Sequence, residues 1–205
     1  MPQRLAHFFS WLFQPLLMPL YGTIIYLYLP FYAFVLMPEK LKWVVLCCVL
    51  VFTFLLPAGF VVLLKRFKLI RSLNLHERSD RPVPIFLTAL FYGFNLFYLY
   101  RLSDFLPLLY YFFLVAALFS VIITLMVSAW WKISMHMTGI GGLCGSLVLA
   151  AVVWQLDLRF LMAGAFLVAG IVGTSRLQLK VHTLSQVWAG FLAGFLPQAA
   201  WILLH

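Results

Sequence analysis

The stretch from Ser175 to Ala189, SRLQLKVHTLSQVWA, puts an arginine, a lysine and a histidine into a chain that is otherwise almost uncharged. Arg176 and His182 flank a five-residue spacer, and Gln186 follows His182 by four residues. On a helix that spacing places the His182 and Gln186 side chains on one face, a turn apart. A second polar island upstream reads Lys132-Ile-Ser-Met-His136, and a third holds Arg78, Arg81 and Pro82. Ionisable residues are costly inside a bilayer protein and are therefore candidates for function. Guanidinium groups pair with anionic oxygens through a planar fork, and imidazoles exchange protons near neutral pH.

The elements that must position these islands are membrane helices. Of the 205 residues, 65% are hydrophobic and only 9% charged, with mean hydropathy +1.07. Soluble domains carry about 25% charged residues. Apolar runs longer than about 18 residues recur, as in a helical multi-span protein. The period-two alternation of a membrane barrel is absent. The net charge of +9 sits mostly between spans, where it orients the chain and meets anionic headgroups, so nucleic acid is not an expected partner. Cys47, Cys48 and Cys144 lie in apolar runs without the paired spacing of a metal site. The N-terminal apolar run is too long for a cleavable signal and lacks a small-residue cleavage site.

The fold expected is all-α, a single polytopic membrane domain over residues 1–205 with about six to seven transmembrane helices. Leu5 to Gln14 reads as a short or interfacial helix. Spans are then expected at about Leu16–Met37, Trp43–Leu64 with a kink near Pro57 and Gly59, Ile85–Tyr100, Pro107–Ala129, His136–Trp154, Phe160–Thr174 and His182–Leu204. The fifth span opens with Gly139, Gly141, Gly142 and Gly145, and the seventh carries Ala189, Gly190, Ala193 and Gly194, small residues that let helices pack closely. Glu77 and Arg78 read as a loop ion pair. Arg101 to Asp104 and Asp157 to Arg159 read as turns.

Loops after the second, fourth and sixth spans share a membrane face, and these loops carry Arg81, His136 and Arg176 to His182. Three polar islands thus converge on one side. Ten of the Lys and Arg residues fall on that face and four, Lys40, Lys42, Arg101 and Arg159, on the other. The positive-inside rule places the island face in the cytoplasm.

The island Ser175-Arg176-x5-His182-x3-Gln186 resembles the third signature block of the type 2 phosphatidic acid phosphatase superfamily, Ser-Arg-x5-His-x3-Asp. Ser134-Met135-His136 resembles its second block, Pro-Ser-Gly-His, and Arg81-Pro82 resembles the end of its first, Lys-x6-Arg-Pro. Order and spacing match over roughly residues 65–195. The chain departs from the family where Asn74 stands for the first-block Lys, Ile133 and Met135 for the Pro and Gly around Ser134, and Gln186 for the Asp.

The resemblance implies metal-independent hydrolysis of a lipid phosphomonoester or pyrophosphate, with no cofactor, in an integral membrane protein of the bacterial inner membrane. His182 would attack phosphorus and form a phosphohistidine. His136 would protonate the leaving oxygen and then activate water. Arg81 and Arg176 would neutralise the equatorial oxygens. Ser134 would add a hydrogen bond, Lys132 would replace the missing Lys, and Gln186 would orient His182. The alternatives are a catalytically impaired relative that binds anionic lipid headgroups, favoured by Gln186 and Asn74, and a transporter or structural membrane protein. Asp80, Asp104 and Asp157 are scattered, unlike the clustered acids that hold Mg²⁺ in membrane prenyltransferases.

Overall fold

Proline stands at the N-cap or in the first turn of six of the ten α-helices among the described residues. A computed structural model describes residues 1–73, 75, 77–102 and 106–204; Asn74, His76 and Asp104 lie outside the described residues. Every regular element among the described residues is a helix. The α-helices are α1 Gln3–Leu12, α2 Met18–Tyr28, α3 Tyr32–Val35, α4 Glu39–Val49, α5 Leu56–Arg66, α6 Pro82–Leu102, α7 Leu108–Ser128, α8 Met135–Val153, α9 Arg159–Gln178 and α10 Leu184–Ala199. Six stretches are long and apolar enough to cross a membrane: Gln3–Tyr28, Glu39–Arg66, Arg78–Arg101, Leu108–Ser128, Met135–Val153 and Arg159–Gln178. The chain is a multi-pass helical membrane protein.

The N-terminal third differs from expectation. The expected span Leu16–Met37 stops at Tyr28, because Pro30 holds Leu29 in an extended conformation (φ −64°, ψ 147°). Residues 32–35 form only the single turn α3. The expected short helix is α1, separated from α2 by extended Gln14 and a 3₁₀ turn at Pro15–Leu17. The kink expected near Pro57 is a π-helical turn at Leu50–Leu55, just before it. Pro57 has no N–H for the carbonyl of Thr53, and the wider turn relieves the ring clash. The last helix, α10, has 16 residues and continues as a 3₁₀ turn over Ala200–Leu204, so it is shorter than the span expected at His182–Leu204.

The last three helices form the part that matters for the islands. Glycines decide how α8 and α10 meet. A Cβ on Gly190 would lie 2.5 Å from the Ser134 carbonyl oxygen, and one on Gly145 would lie 2.6 Å from that of Phe195. Gly194 similarly leaves no room for a Cβ beside the Thr138 carbonyl. Contacts therefore advance along both helices together, from Ser134–Gly190 to Gly145–Phe195, so α8 and α10 run parallel. Helix α9 links them by running back the other way alongside α8, which brings the start of α8, the end of α9 and the start of α10 to one end. Without a hydrophobic force between helices in lipid, such close packing is the main source of association.

The opposite half is pinned by aromatics. Tyr26 stacks on Phe113 and meets Phe34, Tyr110 and Trp154 edge-on or tilted. Its hydroxyl donates to the Ser146 carbonyl at 2.7 Å, which joins α2 to the middle of α8. Each aromatic pair contributes about 0.5–1.5 kcal/mol beyond its burial.

Candidate site at the starts of α8 and α10

His182 does not lie on α10. The helix starts after Thr183, whose hydroxyl accepts from the Gln186 N–H at 3.4 Å, while the Gln186 side chain accepts from the Thr183 N–H at 3.2 Å. This is a capping box, and it holds His182 one residue ahead of the cap. His182 and Gln186 still meet, but through the cap rather than along a helical face: His182 Nδ1 and Gln186 Oε1 are 3.0 Å apart. The Thr183 N–H can only donate, so the Gln186 atom it meets is the oxygen. That oxygen can only accept, so Nδ1 of His182 carries the proton. Nε2 is left with its lone pair.

His182 has its pKa lowered to about 4 from the ordinary 6.5. Burial is the main cause; the positive charges of Arg176, Arg81 and Lys132 add to it, and the Gln186 bond opposes it. The ring is neutral at pH 7. Lys132 is half-buried, and its pKa is pushed down by burial, then by the charge of Arg81, with Glu77 opposing and Arg176 adding.

Arg81 is buried at the start of α6 and donates from Nε to the Leu75 carbonyl (3.0 Å) and from Nη1 to the Ile133 carbonyl (2.9 Å). Leu75 takes a left-handed φ of 49° to present that carbonyl. Arg81 is thus tied to the residue next to Ser134. The Ser134 N–H in turn donates to the Gln186 carbonyl at 3.3 Å. Ser134 is fully buried at the N-cap of α8, yet its hydroxyl makes no capping bond and has no partner. Arg78 donates to the Trp130 carbonyl at 2.7 Å instead of forming the expected pair with Glu77.

His136 and Arg176 are joined by a residue that sequence reasoning missed. His136 Nε2 donates to the Ser10 carbonyl at 3.0 Å, the only role a carbonyl allows it. Arg176 Nη1 donates to the Ser10 hydroxyl at 3.1 Å, and Arg176 Nε is buried without a partner. Ala6 and Ser10 are the buried residues of α1, four apart. That small-residue pair was the available signal for a packed face, but nothing in it pointed to histidine or arginine.

The structure therefore brings Arg81, Lys132, Ser134, His136, Arg176, His182 and Gln186 into one neighbourhood at one end of the bundle. It does not put them all in one cavity wall. His136, Arg176 and Ser10 line a cavity of about 890 Å³, whereas Arg81, Lys132, Ser134 and His182 stand outside that wall. Among the described residues the ion pairs are Lys42–Glu39 and Arg159–Asp157, both away from the site. Three cations thus cluster with no carboxylate of the described residues within ion-pair distance, beside two buried polar atoms without partners. Such a set matches an anion carrying several acceptor oxygens. No family model, curated protein or solved structure matches the chain.

Proposed function

We propose that the chain is a membrane phosphohydrolase that cleaves a phosphomonoester or pyrophosphate of a lipid through a phosphohistidine on His182. The observation that carries this reading is the unprotonated Nε2 of a neutral His182 within the field of Arg81, Arg176 and Lys132. In the proposed first step the Nε2 lone pair attacks phosphorus and the bond to the leaving oxygen breaks. His136, which the negative charge of the bound phosphate makes easier to protonate, gives that oxygen a proton from Nδ1, because its Nε2–H is committed to Ser10. In the second step water attacks the phosphohistidine, Nδ1 of His136 takes the water proton, and phosphate leaves. Arg81 and Arg176 spread the charge of the transferring group, aided by the free Arg176 Nε–H and the Ser134 hydroxyl. The setting proposed is the bacterial inner membrane, with the site on the cytoplasmic face.

One observation favours a second reading, headgroup binding without turnover. Gln186 supplies His182 with a neutral acceptor, which stabilises the positive ring formed during attack less than a carboxylate does. Both readings are tested with protein reconstituted in vesicles containing phosphatidic acid or a prenyl pyrophosphate. Phosphate release with a trapped acid-labile phosphohistidine, both lost in His182→Ala, supports hydrolysis. Saturable lipid binding that weakens in Arg176→Ala, without release, supports the second reading. Neither binding nor release sinks both.

A further inference from the structure

The cavity behind His136 and Arg176 is largely apolar but ends on a polar group. Its wall reaches the outer surface at Trp11, Val62 and Leu73, all exposed apolar side chains on α1, α5 and the following loop. It reaches inward to Phe113 on α7 and Gln198 on α10. Gln198 is 0% exposed. Its Nε2 donates to the Phe113 carbonyl at 3.0 Å. A carbonyl only accepts, so that atom is the amide nitrogen, and Oε1 is the free acceptor. Oε1 has no partner. An unpaired amide oxygen is costly in a hydrocarbon-lined space, and such a group calls for a donor.

Among the described residues no hydroxyl reaches it. Thr88, Ser120, Thr124 and Thr138 line the same cavity, and each already donates to a carbonyl of its own helix, those of Pro84, Ala116, Ser120 and Ser134. They remain as acceptors. Gln198 packs against Gly145, nine residues along α8 from His136, which is a rise of about 13 Å.

We propose that this cavity takes the chain of a lipid phosphate bearing a hydrogen-bond donor, a hydroxyl or amide N–H, about 13 Å from its phosphate. Gln198 Oε1 accepts from that donor. The head end of this assignment rests on the phosphate-site reading; the chain end rests on Gln198 alone.

The test is equilibrium binding of hexadecyl phosphate and of its counterpart hydroxylated in mid-chain, in detergent micelles. The wild-type protein is expected to hold the hydroxylated lipid about tenfold tighter, the effect of one buried hydrogen bond. Gln198→Met, of similar volume, should erase the preference. Equal affinities in the wild-type protein overturn the proposal, and that comparison needs no variant to fold. A preference that survives in Gln198→Met overturns it as well. Arg176→Ala separates the two ends. It should weaken both lipids alike and keep their ratio. If it changes neither affinity, the phosphate-site reading fails, and the wild-type preference still decides the role of Gln198.

Discussion

The charge state of His182 follows from its burial, and its tautomer from the bond at Nδ1. Buried and with three cations nearby, the ring resists protonation down to about pH 4, although the bond from Nδ1–H to Gln186 works the other way. The folded chain then binds this proton less tightly than the unfolded chain, whose His titrates near 6.5. Stability supplied by neutral His182 is therefore full above about pH 6.5 and declines as pH falls toward about 4. A bound phosphate reverses part of the shift, since its negative charge favours imidazolium. In NMR titration of ring-labelled histidine, the His182 midpoint should rise by about one unit on adding vanadate. An unmoved midpoint at saturating vanadate would place the anion elsewhere.

Gln186 yields the second prediction at this scale. Gln186→Glu keeps the length and both bonds of the capping box and adds the missing charge. In a hydrolytically competent preparation it should raise phosphate release by at least about tenfold, because a charged acceptor stabilises the imidazolium formed during attack. An unchanged rate would show that the neutral acceptor is no handicap.

Among the elements, the α8–α10 seam is the sensitive one. Gly190→Ala forces a methyl toward the Ser134 carbonyl, and α10 must move away from α8 to admit it. Overpacking of this kind costs about 1–3 kcal/mol. It should also break the Ser134 N–H bond to Gln186 and so lower vanadate affinity. Gly164→Ala on α9 is the control, because nothing lies within 4 Å of the added Cβ. A Tm loss in the control equal to that of Gly190→Ala would contradict the seam argument. The α9–α10 turn offers the opposite effect. Lys180 sits just past the end of α9 at a φ of 54°, a conformation that favours glycine. Lys180→Gly should stabilise by about 1 kcal/mol, read as a higher Tm.

For the whole molecule the open property is orientation. The basic cluster Lys65, Arg66, Lys68 and Arg71 closes α5 and enters the loop on the site face. By the positive-inside rule such charges at a span end favour the cytoplasmic orientation proposed above. Ser79 is exposed on the same face, in the turn before α6. In a background lacking Cys47, Cys48 and Cys144, Ser79→Cys should resist an impermeant thiol reagent in intact cells and react in lysed ones. Labelling from outside would reverse the orientation and put the substrate in the outer leaflet.

Composition together with the absence of period-two alternation determined that this is a helical membrane protein, because lipid admits only helices and closed barrels as spanning structures. Loop parity placed the three islands at one end, since spans alternate regardless of how they pack. The Thr183-to-Gln186 capping box was also readable, as a Thr-x-x-Gln pattern, although the helical-face reading of His182 passed over it. Three things only the tertiary structure decided. Ser10 joins His136 to Arg176 across a sequence separation of 166 residues to the latter, and no local pattern encodes such a contact. The glycines announced a close helix contact but not its partner or direction; the parallel register of α8 and α10 exists only once α9 has folded back. The cavity and the unpaired oxygen of Gln198 depend on helices from every part of the chain, so they are properties of packing, which hydropathy and spacing do not contain.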